Sequence, residues 1–332
     1  MSGRWRWWVN LTSEVEHPRV LAAIRIAVAT MLLWDFLSIG YYDLVTVLFA
    51  PEPAGGVSNL LQWKKIPWVY QVFPPTAGTA WAVYLTVVLS ATSLLLGWFS
   101  RTSALILLVA YAQTALITPA GDRGIDLLLR NVLMILACSR CGNTWSADAW
   151  WNTRSWAGDG SPVPAWPRYI LILQLVVMYF TAGIAKFSMP WMPMGGYSAL
   201  FLLLQDPAVA RFDFAWLERV YPLTQIATGI TINWEYSAPV LLLVYYYRTT
   251  PDRPGRLRAF CLRYKVHFWW LGIGVLFHLG IFVSLELGIF PWAMLGLYFC
   301  FLHPDELDAA LRWLRRDGAK PTPALASPPP SA

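Results

Sequence analysis

Charge is scarce in this chain. Only 13% of its 332 residues are Asp, Glu, Lys or Arg, about half of what a soluble domain of this length carries, and that excludes a water-soluble globular enzyme. Histidine and cysteine are equally thin, at four each. His17, His267, His278 and His303 fall in separate segments, and no Cys/His spacing suits a tetrahedral metal site, so no metal is expected. No glycine-rich phosphate loop follows a strand, and no serine nucleophile elbow is present. No internal repeat or matched pair of broken helices argues for an inverted-repeat transporter. The N-terminal stretch MSGRWRWWVN lacks the apolar core and small-residue site of a cleavable signal. The net charge of +6 sits where membrane topology would put it, so a nucleic-acid partner is not expected.

What fills the chain instead is apolar. Hydrophobic residues make up 57%, with 20 Trp and 15 Tyr, a composition that suits aromatic belts at two lipid–water boundaries. The expected fold class is all-α: a polytopic transmembrane helical bundle of about eight spans, with interfacial helices. The spans are expected near 20–39, 81–99, 103–117, 125–137, 169–187, 223–247, 267–285 and 289–302. Four regions follow: an interfacial N-terminal segment 1–19 carrying Trp5, Trp7, Trp8, Arg4 and Arg6; the bundle 20–303; an amphipathic cytosolic helix 304–318; and a Pro/Ser-rich disordered tail 319–332. The connection 40–80 is rich in Pro, Gly and aromatics, and part of 60–70 reads as a short interfacial helix.

Basic residues set the orientation. With the N-terminus in the cytosol, seventeen of the 25 Lys and Arg fall inside, five outside (Lys64, Lys65, Arg123, Arg211, Arg219) and three at membrane depth (Arg25, Arg130, Lys186). This skew favours a plasma-membrane protein with both termini cytosolic. The same topology puts Cys138 and Cys141, a C-x-x-C pair, with Cys261 and Cys300 against a reducing compartment, so they read as free thiols.

Ionisable groups at membrane depth cost energy unless paired or hydrated, and are candidate functional positions. Asp126 and Arg130 are four apart on one helix face, which suggests a structural pair; Arg25 is expected to cap a buried carboxylate. Asp35, Asn233, Glu235 and His278 join this set. Lys186 is the sharpest case. It ends an apolar helix just before Met189-Pro190-Trp191-Met192-Pro193, with Tyr179 two turns earlier and the small pair Ala182-Gly183 above it. That spacing allows a groove beside the amine, and a desolvated lysine is a competent general base. The competing reading is an inert side chain reaching to the outer interface.

At these residues the chain resembles a known family. QLVVMYFTAGIAKF, then Trp191 and GGYSAL, is similar to the membrane core of vitamin K-dependent γ-glutamyl carboxylase, and more closely to the bacterial HTTM (horizontally transferred transmembrane) domain family. GIDLLLRNVL with TWSAD, NWEYSAPVLLL with Glu235, and FHLGIFVSLELGIFPWAML agree in order and spacing. The resemblance implies Lys186 as the base that deprotonates a vitamin K-type hydroquinone. Oxygenation of that quinol then supplies a stronger base for carboxylation linked to quinol oxidation. His278 would assist catalysis, and Tyr179, Asp126, Arg130, Glu235 and Trp191 would bind the substrate or lipid. There are departures: Ala185-Lys186 replaces a double lysine, Ile125-Asp126 replaces an Asn-His pair, and the large β-rich region that grips a protein substrate is missing. A separate recognition protein would then be needed. The alternative is a non-enzymatic membrane protein assisting maturation, export or immunity for a secreted peptide, as HTTM-like proteins beside peptide toxins suggest.

Overall fold

The structure is a computed structural model and describes residues 13–57, 66–250 and 252–314. The expected N-terminal tryptophans, the disordered tail and the start of the 60–70 segment lie outside the described residues. Helices of eight residues or more are numbered α1 (Arg19–Tyr41), α2 (Ala77–Leu96), α3 (Ser100–Ile117), α4 (Gly124–Cys138), α5 (Trp166–Ala185), α6 (Tyr221–Tyr236), α7 (Pro239–Arg248), α8 (Arg256–Arg263), α9 (Val266–Ser284), α10 (Phe290–Leu297) and α11 (Pro304–Leu314). The protein is an all-α polytopic bundle.

Five of these, α1, α2, α3, α5 and α9, are long and apolar enough to cross a membrane. At 1.5 Å per residue the 23 residues of α1 reach about 35 Å, enough for a hydrocarbon core of about 30 Å. The other three expected spans are shorter. The 15 residues of α4 cover only about 22 Å. The sixth expected span is two helices, α6 and α7, split at Ser237-Ala238 because Pro239 has no N–H to continue the ladder. The eighth is α10 tightening into a 3-10 turn at Tyr298–Phe301.

Helix α1 forms the axis. Val20, Leu21, Ile24, Val28, Leu32 and Phe36 are all buried, and it packs against both α2 and α10. The α10 approach is close: a Cβ on Gly296 would stand 2.8 Å from the Cβ of Ala27.

A short two-stranded sheet, which the sequence reading did not anticipate, joins β1 (Val15–Glu16) to β2 (Val163–Pro164) in antiparallel register. It places Glu16 2.7 Å from Arg168 at the start of α5, both almost fully buried, and Tyr169 donates to Glu14 at 2.6 Å. The amphipathic helix α11 folds back on the same face. Glu306 accepts from Arg248 at 2.8 Å and from the His303 backbone at 2.7 Å, Asp308 pairs with Arg19, and Leu307 is buried. Burial pushes the Glu306 carboxyl up, but hydrogen bonds from His267, His303 and Arg248 outweigh it and hold the group down at about 2.

Candidate functional site

Lys186 is the C-cap of α5. The helix cannot continue, because Met189–Trp191 turns as a 3-10 segment with Pro190 inside it. The ammonium faces α6, where Glu235 lies in the last turn before the Pro239 break. Both carboxylate oxygens of Glu235 are 2.7 Å from Lys186 Nζ, and the Ala182 carbonyl is a third, longer acceptor at 3.5 Å. The side chain of Glu235 is 4% exposed and that of Lys186 24% exposed. Trp191 completes the setting, with its ring centroid 5.3 Å from Nζ. An ammonium resting on an aromatic face gains from the ring quadrupole, more so when desolvated.

The small pair Ala182-Gly183 makes room for a helix, where the sequence suggested a groove. A Cβ on Gly183 would meet Glu235 Cβ and Tyr236 Cδ1 at 3.3 Å, so α6 fills the space beside α5. Lys186 is half-buried, packed on that side and covered on another by the Trp191 ring.

One layer deeper lies a buried aromatic cluster. Tyr179 Oη is 2.7 Å from His278 Nε2 and 2.7 Å from Tyr298 Oη. Trp234 packs edge-on against Tyr179 with ring centroids 4.8 Å apart, and against Trp270 at 4.7 Å. The indole of Trp234 donates to the Trp270 carbonyl at 3.1 Å. Trp234 immediately precedes Glu235, so this cluster fixes the end of α6 that carries the carboxylate. His278 is fully buried, and its Nδ1 has no hydrogen-bond partner among the described residues. Gly274 permits the assembly: a Cβ there would stand 2.1 Å from Tyr298 Oη and 2.7 Å from Trp234 Cζ2.

Asp126 and Arg130 belong to a different network. The expected pair between them does not form. Asp126 accepts instead from Arg123 Nη2 at 2.9 Å and from Tyr111 Oη at 2.6 Å, and Arg123 also holds Asp35 of α1 at 2.5 Å. Arg130 pairs with Asp122 at 2.7 Å and lies over the Tyr111 ring. Partners brought in by α1 and α3 outcompete a local i,i+4 contact worth only about 0.2–0.5 kcal/mol.

Arg25 departs from expectation as well. It caps no carboxylate. Its guanidinium donates to the backbone carbonyls of Cys141, at 3.2 Å, and Trp145, at 2.5 Å, and so holds the 139–161 connection against α1. Gly97, at φ 69°, lies so near that a Cβ would stand 2.3 Å from Arg25 Nη1. In the same connection Asp148 accepts from the Phe99 and Ser100 amides, both at 2.8 Å, which fastens the α2–α3 turn.

Three cavities among the described residues bear on the site. One of about 910 Å³ lies under the α2–α3 turn, lined by Trp98, Arg101, Arg140, Asp148 and Trp151. An apolar groove of about 450 Å³ separates α4 from α5 between Met134, Cys138, Ile170 and Val177. The third, about 220 Å³, touches Asp35, Tyr111, Arg123 and Asp126. Lys186 and Glu235 line none of these three. Among the described residues, no group of three or more His, Cys, Asp or Glu side chains converges as a metal site would require.

Of the residues singled out from sequence, Lys186, Glu235 and Trp191 therefore meet directly. Tyr179 and His278 meet behind them, and Asp126 and Arg130 lie elsewhere. Trp234, Trp270, Tyr298, Tyr111 and Arg123 were missed. Arg123 reads as a loop charge, and the aromatics as generic core.

This geometry, with membrane-length apolar helices and ionisable groups paired inside the bundle, defines an integral membrane protein of the helical polytopic class. The chain belongs to the HTTM domain family, whose sequence model matches residues 14–251. That match takes in Lys186, Trp191 and Glu235 and ends before His278 and Tyr298. No solved structure matches the chain.

Proposed function

We propose that this membrane protein is a carboxylase-like enzyme that binds a quinone-type lipid beside the Lys186–Glu235 pair, with Lys186 as general base. The observation that carries this reading is the asymmetry of the pair. The carboxylate is sealed between α5 and α6 at 4% exposure, while the amine keeps 24% and rests against the Trp191 ring. A hydroquinone head group is a flat ring with hydroxyls at its edge. The Trp191 face, the Lys186 amine and the exposed apolar side chains of Phe187, Met189 and Met194 suit such a group. When bound, a quinol would supply an acidic hydroxyl and two reducing electrons. Lys186 Nζ can accept a proton only after releasing one, and Glu235 at 2.7 Å is where it goes. The result is a neutral amine beside a neutral acid, and a low-dielectric site narrows the gap between that state and the ion pair. Tyr179, His278 and Tyr298 support the site by holding Trp234, and through it Glu235. Asp126 and Arg130 would contribute only to a second, separate lipid contact.

A second reading has its own observation. The Lys186 ammonium already has three acceptors within the protein, as a purely structural pair would. This favours a non-enzymatic protein serving the maturation, export or immunity of a secreted peptide at the plasma membrane. Lipid mass spectrometry on the purified protein separates the two. The enzymatic reading expects a co-purifying quinone in wild type and its loss in Lys186→Ala. If neither protein retains a quinone while both remain folded, that reading fails.

A further inference from the structure

One strongly basic exposed segment among the described residues has no part in the Lys186 site. Between Asp252 and Lys265 the exposed ionisable side chains are Arg253, Arg256, Arg263 and Lys265 against the single acid Asp252. The segment is firmly built. Helix α8 is pinned by Arg258, which is buried, bonds the Thr250 carbonyl and lies 4.7 Å from the Tyr247 ring centroid. Cys261, one turn on, is buried on the same side. With that face fixed, the opposite face must point outward.

The outward face is mixed in a specific way. Leu257, Phe260 and Tyr264 are each more than half exposed and alternate with Arg256 and Arg263. Phe260 and Tyr264 pack together with centroids 4.9 Å apart. Arg263 lies over Tyr264 and Lys265 over Phe268. Chain connectivity fixes the depth. The membrane-length helix α9 starts at Val266, one residue after Lys265, so α8 lies at the boundary between hydrocarbon and water. A short helix there, with apolar and basic side chains on one exposed face, has the make-up of an in-plane interfacial element.

We propose that α8 and the start of α9 form a binding surface for the phosphate headgroups of anionic phospholipids. Arg256, Arg263 and Lys265 engage the headgroup, and Leu257, Phe260 and Tyr264 sit at the top of the acyl chains. Arg253 is partly committed, since it donates to Tyr246 Oη at 2.8 Å. Basic side chains at an anionic surface contribute about five-fold each in affinity, so three can give a preference of up to about 100-fold over a zwitterionic lipid.

The test uses the purified full chain in detergent, titrated with phosphatidylglycerol or phosphatidylcholine and read by native mass spectrometry. Wild type should favour phosphatidylglycerol by at least about 20-fold, and Arg256→Gln/Arg263→Gln/Lys265→Gln should drop to about two-fold or less. The thermal midpoint should not move, because these side chains are exposed. Arg101→Gln/Arg140→Gln, at the cavity under the α2–α3 turn, should keep the wild-type preference. Should the triple variant fold poorly, wild type in about 0.5 M NaCl serves instead, where screening should remove most of the preference. No preference in wild type, an unchanged preference in the triple variant or in high salt, or its loss in the Arg101/Arg140 variant would each overturn the proposal.

Discussion

Replacing Lys186 by methionine tests the central pair directly. Lys186→Met keeps an unbranched side chain one atom shorter and removes the charge, leaving Glu235 at 4% exposure without its partner. Breaking a buried ion pair from one side costs about 3–5 kcal/mol, because the remaining charge is stranded. The lower end applies here, since Lys186 is 24% exposed. The converse change, Glu235→Gln, strands an amine that can swing outward along Trp191, and should cost about 1–2 kcal/mol. The double change removes both charges and should recover much of the loss, a coupling of about 2 kcal/mol. In a thermal-unfolding assay in detergent, this puts Lys186→Met about 5–10 °C below wild type, with Glu235→Gln and the double variant between them. Equal losses in the two single variants, with a double variant equal to their sum, would refute the reasoning. The two groups would then not depend on each other.

Two further outcomes follow from the packing and charge of other parts of the bundle. Gly274→Ala should destabilise by about 1–3 kcal/mol, because its methyl group collides with Tyr298 Oη and the Trp234 ring. Near-UV circular dichroism of the tryptophans should change with it, and an unaltered spectrum would contradict the packing described. The docking of α11 should be acid-sensitive. The Glu306 carboxyl is held down at about 2 against 4.5 for an ordinary Glu, so its contribution of at most about 3 kcal/mol is complete above pH 4.5 and is lost as pH falls towards 2. Proteolysis after Arg312 should speed up over that window in wild type, and Glu306→Gln should remove the pH dependence.

The fold was legible wherever length and hydropathy alone decide. The helices α1, α2, α3, α5 and α9 are continuous apolar runs, and their ends agree with the expected spans to within a few residues. Reading failed where one residue overrules the average. Pro239 splits a run of apolar residues that looks like one long span, and its effect is a missing N–H that no hydropathy window registers. At the site, Lys186 and Trp191 are close in sequence and were read together. Glu235 reads from sequence as a polar residue at depth, but its pairing with Lys186 depends on how α6 crosses α5 at Gly183. The i,i+4 rule pointed Asp126 to Arg130, yet Arg123 was the stronger partner because it also reaches Asp35, 88 residues away. The partners of Arg25 are hidden for a related reason: backbone carbonyls have no sequence signature.

The arginines inside the bundle share a feature that bears on function. Arg25, Arg123, Arg130 and Arg168 are each held by several acceptors or by a bidentate or multiply bonded acid, and each ties one helix to a loop, strand or neighbouring helix. Their work is architectural, since a charge with satisfied hydrogen bonds inside a bundle specifies which segments meet. Lys186 differs in kind. It sits at a helix end against an aromatic face, partly exposed beside a buried carboxylate. A lysine is also the basic side chain whose proton can leave under protein control, whereas a guanidinium keeps its own. Of these charges Lys186 is the one whose proton can be released, so the proposed base chemistry falls to it rather than to the arginines, and loss of a co-purifying quinone in Lys186→Ala is its test.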